Sequence, residues 1–433
     1  MNVVVIGGGW SGLAAAVALA RDGAQVTVLE AARQLGGRAR AVAFGTRKVD
    51  NGQHILLGAY SSFLSMLDTL ELPEARVVRR LPLALAWRDR GRRIGLTAPR
   101  LPAPLHLAWA LATARGLPRA ERRAAVRLAL RLRRDGFSVE PDLPLAEFLR
   151  RHRQGPAVTR ALWEPLCLAA LNTPAAEASS RLFVAVLRDA FFGRRADSDL
   201  LLPIVDLGSC LPEPARDYIE RHGGSVRLGS RVLGMQVHGG RVRGVALKHH
   251  TLIADQVVVA TPAPACRRLL APHAPLAELY QRVARLTDAP ICTLYLQYPP
   301  AVRLPRPMLG LLGTTAQWLF DRGQLGGPAG LIAAVISGPG EHMQETPEAL
   351  TARVAREIAA EFPDWPAPLE TRLIRERHAT FRARADIDAL RPEAATPVEN
   401  LWLAGDYTAT GYPATLEGAL RSGLECARRI LAS

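Results

Sequence analysis

The chain has 433 residues, 48% hydrophobic and 22% charged, which excludes a disordered chain and allows two or three packed lobes. The net charge is +15, almost all from arginine, since lysine occurs only at Lys48 and Lys248; the excess fits either arginine-rich codon usage or a surface drawn to phosphate. Cys167, Cys210, Cys266, Cys292 and Cys426 form no CxxC pair, which excludes a disulfide framework and a zinc site and predicts reduced thiols in a cytosolic protein with no metal.

Val3–Ile6 is a run of β-branched residues, as in a strand buried within a parallel sheet. No basic segment precedes it, so it does not read as a signal peptide. It leads into Gly7-Gly8-Gly9-Trp10-Ser11-Gly12. Gly7, Gly9 and Gly12 occupy the GxGxxG positions: a tight turn, an approach to pyrophosphate, and close helix–strand packing. Leu13–Arg21 reads as a helix whose first amides face the phosphates. Gln25–Leu29 is a second strand, delivering Glu30 to a ribose hydroxyl; the acid argues against a 2′-phosphate there. Gly36-Gly37-Arg38 suits a second backbone approach to phosphate.

Glu30 followed by Gly36-Gly37-Arg38, and then Asp50-Asn51-Gly52-Gln53-His54, resembles the flavin amine oxidase and carotenoid desaturase superfamily. The resemblance implies FAD, and it places His54 near the flavin. An ordinary loop histidine is the competing reading.

Further along, Leu81-Pro82-Leu83 and Gly91–Leu96 read as short strands, and Pro104 to Arg134 as helices. Residues 119–134 form a basic helix with an apolar side, either a surface helix of a substrate lobe or a patch for an anionic membrane. Trp163–Asn172 is an apolar helical stretch holding Glu164, and Asp189 stands beside Phe191 and Phe192. Each acid is either salt-bridged or catalytic. Ser225–Leu228, Val232–Val237, Val242–Ala246 and Ile253–Ala260 read as strands, the last running into Thr261. Strands near Cys292–Gln297 and at Leu331–Ser337 and a helix at Pro347–Glu361 follow. Leu401–Ala404 is a strand ending in Gly405-Asp406, and a helix then opens near Thr415–Glu417. Such a helix aims its dipole at the pyrimidine end of a flavin. No run reaches the roughly 20 apolar residues of a membrane span.

Within the superfamily, the chain resembles the hydroxysqualene dehydroxylases. The shared stretches are Asp50–His54 with Leu57-Gly58-Ala59-Tyr60, Trp163-Glu164-Pro165-Leu166 through Asn172-Thr173-Pro174, and Asp406–Gly411 with Pro413–Ala419. The resemblance implies an α/β fold: a Rossmann-like FAD-binding domain of a GR2-type flavoprotein, interleaved with a substrate-binding domain of mixed sheet and helices. The expected FAD segments are 1–80, 206–264 and 396–433, and the expected substrate segments 81–205 and 265–395. Noncovalent FAD is expected on Gly7, Gly9, Trp10, Ser11, Gly12, Glu30 and Ala31; on Gly37, Arg38, Gly52, Gln53 and His54; on Val232 and Thr261; and on Gly405, Asp406, Ala414, Thr415 and Leu416.

The implied reaction replaces an allylic hydroxyl of a C30 isoprenoid by hydride, forming squalene for hopanoid synthesis. Candidate acids are Asp189, Glu164, and His54 with Asp50 behind it; Tyr412 would line the flavin face. An unidentified electron donor and peripheral association with the inner membrane are expected. The arginines are scattered and no nucleic-acid motif occurs, so no nucleic-acid partner is expected. Three alternatives stand beside this reading: an isoprenoid or carotenoid desaturase, an amine oxidase, and a non-catalytic flavin-binding membrane scaffold.

Overall fold

Val3–Ile6 is buried on both faces, which only the interior of a covered parallel sheet allows. In the computed structural model, which describes residues 1–433, this run lies in strand β1 (Asn2–Ile6). Helix α1 (Trp10–Arg21) and strand β2 (Gln25–Leu29) follow. Three strands from far along the chain complete the sheet: β3 (Ser225–Arg227), β4 (Gln256–Val259) and β5 (Leu401–Leu403). The order is β3-β2-β1-β4-β5, with every pairing parallel. The chain then enters α2 (Leu416–Leu431), which packs on α1. Gly423 sets that packing: a Cβ on it would fall 2.1 Å from the Ser11 carbonyl oxygen. Gly12 sets the packing of α1 on the turn after β1, since a Cβ there would fall 2.1 Å from the Gly7 carbonyl oxygen and 3.0 Å from the Ala260 Cβ.

A second, mostly antiparallel sheet has seven strands in the order Glu370–Phe381, Asp288–Gln297, Leu331–Ser337, Trp318–Asp321, Met308–Leu311, Ala84–Asp89, Arg92–Thr97. Helices Leu105–Ala112, Arg119–Arg134, Glu164–Leu171 and Ser180–Phe191 accompany it. One hydrophobic core contains Val4, Ile6 and Leu29 of the first sheet and Tyr295, Trp318 and Phe320 of the second, so the two sheets are not independent bodies.

Two expected strands differ in detail. Ile253–Ala260 is split: Thr251–Ile253 belongs to a three-stranded antiparallel ribbon, and Gln256–Val259 is β4. Asp255 pins the break, its carboxylate accepting from the Asn2 amide at 2.7 Å and its carbonyl from Asn400 Nδ2 at 2.8 Å. The strand expected across Leu81–Leu83 is Val78–Leu81 and ends before Pro82, which has no N–H to extend a ladder. No helix is long and apolar enough to cross a membrane.

Candidate active site

A cavity of about 580 Å³ is walled by residues of both sheets. Its first end is bare backbone. Gly7 holds φ +114°, and a Cβ there would lie 2.5 Å from the Ala260 carbonyl oxygen. Gly37, at φ +60°, faces Gly9; a Cβ on it would lie 3.3 Å from the Gly9 Cα. Two glycine turns thus meet across the cavity wall. Between them α1 begins at Gly9 with no side-chain cap, leaving its first amides free for an anion. Ser11 Oγ and Thr261 Oγ1 are buried on the same wall without a partner, as expected where a polar ligand completes them. Glu30 is fixed at the end of β2: one carboxylate oxygen accepts from the Gly8 amide and the other from Ala32, both at 2.7 Å. Ala31 and Val232 line this end. The donor set fits an adenine dinucleotide.

The next stretch joins the two ends of the chain. Arg38 forms an ion pair with Asp406 at 2.8 Å and donates to the Ala379 carbonyl at 2.7 Å. Asp406 and Gly405 sit just past β5, on the cavity wall. Arg391, fully buried, donates to the carbonyls of Asp406 and Thr408 and to Thr410 Oγ1, holding the loop beyond β5 in shape. Nothing local in the sequence marks Arg391, because its role appears only when the loop folds back over it.

Farther along the wall come Gly52, Gln53 and His54 and, from the other terminus, Ala414, Thr415 and Leu416. Of the expected FAD residues, only Gly12 is off the wall; its work is the packing described above.

The four candidate catalytic side chains fare differently. His54 lines the cavity, and its Nδ1–H donates to the Gly52 carbonyl at 2.7 Å. Burial, together with the charge of Arg38, pulls its pKa below the ordinary value. In its neutral form that tautomer offers Nε2 as an acceptor. Asp50 does not stand behind it. Its carboxylate accepts from the Leu207 amide at 2.8 Å, and its carbonyl accepts from the Tyr295 hydroxyl at 2.9 Å.

Asp189, Glu164 and Tyr412 are not on the cavity wall, contrary to expectation. Asp189 is held by Arg188 at 2.8 Å and Arg421 at 3.1 Å. Glu164 accepts from the Ala175 amide at 3.3 Å and so ties down the turn after its own helix. Tyr412 is buried under Arg421, whose guanidinium carbon lies 4.1 Å from the ring centroid. Arg421 also pairs with Glu417, a fully buried acid that accepts from the Ser62 and Phe63 amides and so caps helix Ser61–Thr69. This is a structural network.

The far end of the cavity is apolar: Leu168, Ile291, Trp318, Phe320 and Val335. Asn172 sits there in the left-handed region at φ 50°, ending helix Glu164–Leu171. Its Nδ2 donates to the Pro290 carbonyl and Thr380 Oγ1, both at 3.1 Å, and its Oδ1 accepts from the Gly338 amide. It staples the helix to the second sheet. Three carboxylates line the whole cavity: Glu30, Glu376 and Asp406. Glu30 is held by turn amides and Asp406 by Arg38. Glu376 accepts from Asn51 Nδ2 and from the His378 amide, both at 3.2 Å. Sequence reasoning missed it, because a glutamate in a strand as charged as Glu370–Phe381 carries no local signal.

The sequence profile of flavin containing amine oxidoreductases matches residues 10–431, and the chain belongs to that family; it is an oxidoreductase whose cofactor is FAD. Within the family it is similar to the hydroxysqualene dehydroxylase of Rhodopseudomonas palustris, with 30% identity over 468 residues covering 100% of this chain and 99% of the relative. It is 24% identical over 460 residues to 15-cis-phytoene desaturase of Narcissus pseudonarcissus, covering 100% of this chain and 79% of that one. Its fold matches an oxidoreductase from Methanosarcina mazei with a TM-score of 0.79 at 16% identity, over 100% of both chains.

Proposed function

We propose that this enzyme removes the allylic hydroxyl of hydroxysqualene and replaces it with hydride, yielding squalene for hopanoid synthesis. The observation that carries the reading is one cavity with a dinucleotide cradle at one end and an apolar wall at the other. The named relative at 30% identity supplies the substrate class. Bound FAD, once reduced by an external donor, supplies the hydride. Segments 1–80, 206–264 and 396–433 form the lobe that holds it, and 81–205 with 265–395 form the substrate lobe. Binding is noncovalent: all five cysteines are buried and none lines the cavity. The cavity-lining residues named for FAD would hold it, with Gly12 acting through packing.

The chain's own contribution is positioning and proton delivery. Leu168, Ile291 and Val335 exclude water from the hydrocarbon. The faces of Trp318 and Phe320 favour positive charge developing on an allylic carbon. Glu376, the wall carboxylate in no salt bridge and on no glycine-turn amide, delivers the proton to the departing hydroxyl. His54, neutral, accepts a hydrogen bond and so helps orient the hydroxyl. A C30 alcohol dissolves poorly in water, so the enzyme collects it at the inner membrane by peripheral association.

The desaturase relative supports a second reading, the same site run oxidatively. Anaerobic incubation of the reduced holoenzyme with hydroxysqualene separates the two. Flavin reoxidation in step with squalene formation is expected; reoxidation without squalene, or turnover only by oxidised enzyme on a polyene precursor, sinks the proposal.

A further inference from the structure

Helices Leu105–Ala112 and Arg119–Arg134 form a hairpin with two contrasting faces. The inner face, with Leu107, Leu111, Leu128 and Leu132, closes a narrow slot of about 30 Å³ whose lining is entirely apolar. The opposite wall of the slot includes Leu162, Trp163 and Leu166. Leu166 lies on the same short helix as Leu168, Ala169 and Ala170, which line the main cavity. A single helix therefore separates the slot from the site.

The outer face is unlike a water-facing surface. Leu105 is 58% exposed and Trp109 56%, one turn apart on the same side of their helix, with Leu101 exposed just before them. Leu130, on the second helix, is 57% exposed. These are four of the nine large hydrophobic side chains exposed in the whole protein, clustered within one hairpin. On the second helix, Arg119, Arg123 and Arg127 recur at four-residue steps along its solvent side. None has a carboxylate partner, whereas Arg131 and Arg134 at the end of the helix share Asp135. Exposed apolar side chains on the hairpin and at its open end, a tryptophan among them, on the same hairpin as unpaired arginines, match the interface of an anionic bilayer: acyl chains for the first, lipid phosphates for the second.

We propose that this hairpin seats the enzyme on an anionic bilayer, with Leu101, Leu105 and Trp109 sunk into the interface and Arg119, Arg123 and Arg127 against lipid phosphates. The proposal rests on the isoprenoid reading in one respect: the seat places the apolar slot over the bilayer, giving a hydrocarbon a dry route inward when the hairpin opens.

The test is co-sedimentation of FAD-loaded enzyme with vesicles of phosphatidylcholine alone and of phosphatidylcholine mixed with phosphatidylglycerol. Wild type binds the mixed vesicles about tenfold or more tightly than the neutral ones. The double variants Leu105→Ser/Trp109→Ser and Arg123→Gln/Arg127→Gln each lose about tenfold or more of that affinity while keeping full flavin content. Brominated lipid quenches a tryptophan signal that is absent from Trp109→Ser. Equal binding to both kinds of vesicle, or unchanged binding by both variants, overturns the proposal. So does a lipid-free dimer that the same variants dissociate, because the face would then be covered by a second copy. Turnover of detergent-dispersed hydroxysqualene is followed in parallel and stays at the wild-type rate in both variants. If wild type turns over no hydroxysqualene in detergent or in vesicles, the substrate reading fails while the vesicle result still decides the docking surface.

Discussion

The two ends of the cavity are built from different materials. At the dinucleotide end the working groups are backbone: two facing glycine turns, the first amides of α1, and Glu30 holding the Gly8 and Ala32 amides in place. At the apolar end they are side chains contributed by a helix and by strands scattered along the second sheet. A backbone site tolerates almost nothing at the position of closest approach, because a Cβ cannot rotate away. A side-chain site tolerates exchange at each position but depends on staples such as Asn172 to keep its walls in register. The first end should therefore break abruptly under small changes and the second should degrade in steps.

The largest expected effect follows from that difference. Gly12→Ala puts a methyl 2.1 Å from the Gly7 carbonyl oxygen, an overlap no rotamer relieves. Purified Gly12→Ala protein should carry almost no flavin by absorbance. Gly9→Ala is the sharper control: its Cβ would meet only the Gly37 Cα, at 4.0 Å. That variant should keep a melting temperature close to that of wild type and still bind FAD poorly, since the methyl enters ligand space. If Gly9→Ala holds FAD normally, the cradle lies elsewhere.

At the other end, Glu376→Gln should lower kcat by roughly two to three orders of magnitude with flavin content unchanged, the usual yield of a positioned proton donor. Asp189→Asn tests the corrected assignment. It removes a partner of Arg421 away from the cavity, so it should cost about 1–2 kcal/mol of stability and little kcat. A kcat that collapses in Asp189→Asn but survives in Glu376→Gln reverses the assignment. Asn172→Ala should show mainly in stability. It strands the Gly338 amide and the acceptors of the Nδ2 hydrogens, for a loss of about 3–5 kcal/mol, measured by chemical denaturation, and it loosens the apolar end without touching the cradle.

The same contrast explains what the sequence reveals. Gly7, Gly9, Gly12 and Glu30 are readable because backbone recognition uses contiguous residues at fixed spacing, and they fall within one strand–helix–strand unit. The parallel sheet follows from the same unit. Glu417 and Glu376 are not readable, because the partners that give them their roles are distant in sequence: Glu417 caps a helix 354 residues away and Glu376 meets Asn51 across 325. Arg391 acts on groups 15 to 19 residues on, which only the folded loop returns to it. Asp189 and Glu164 attract notice as acids among apolar neighbours, yet each is satisfied by a partner that only the fold brings near. Asn172 is intermediate. An asparagine closing a helix hints at a left-handed cap, but its three sheet partners cannot be inferred from that.

Asp50 supplies the most direct probe of the joint between the two ends. It lies on the strand leading into Gly52–His54, buried, with its carboxylate on the Leu207 amide and its carbonyl on Tyr295 of the second sheet. Burial pushes its pKa up to about 6, against the Leu207 hydrogen bond and the charge of Arg322, which pull it down. The folded protein therefore holds this proton more tightly than the unfolded chain does. Its stabilising contribution is complete below the ordinary carboxylate range near pH 4, and it is lost as pH rises through about 6. Asn keeps an oxygen for the Leu207 amide and has no charge to desolvate. The stability of Asp50→Asn relative to wild type should thus improve between pH 4 and pH 8, by up to about 3 kcal/mol. Denaturation midpoints measured at both pH values decide it. A difference that is flat with pH would mean that Arg322 compensates the Asp50 charge fully, and that the joint carries a buried ion pair in place of a buried acid.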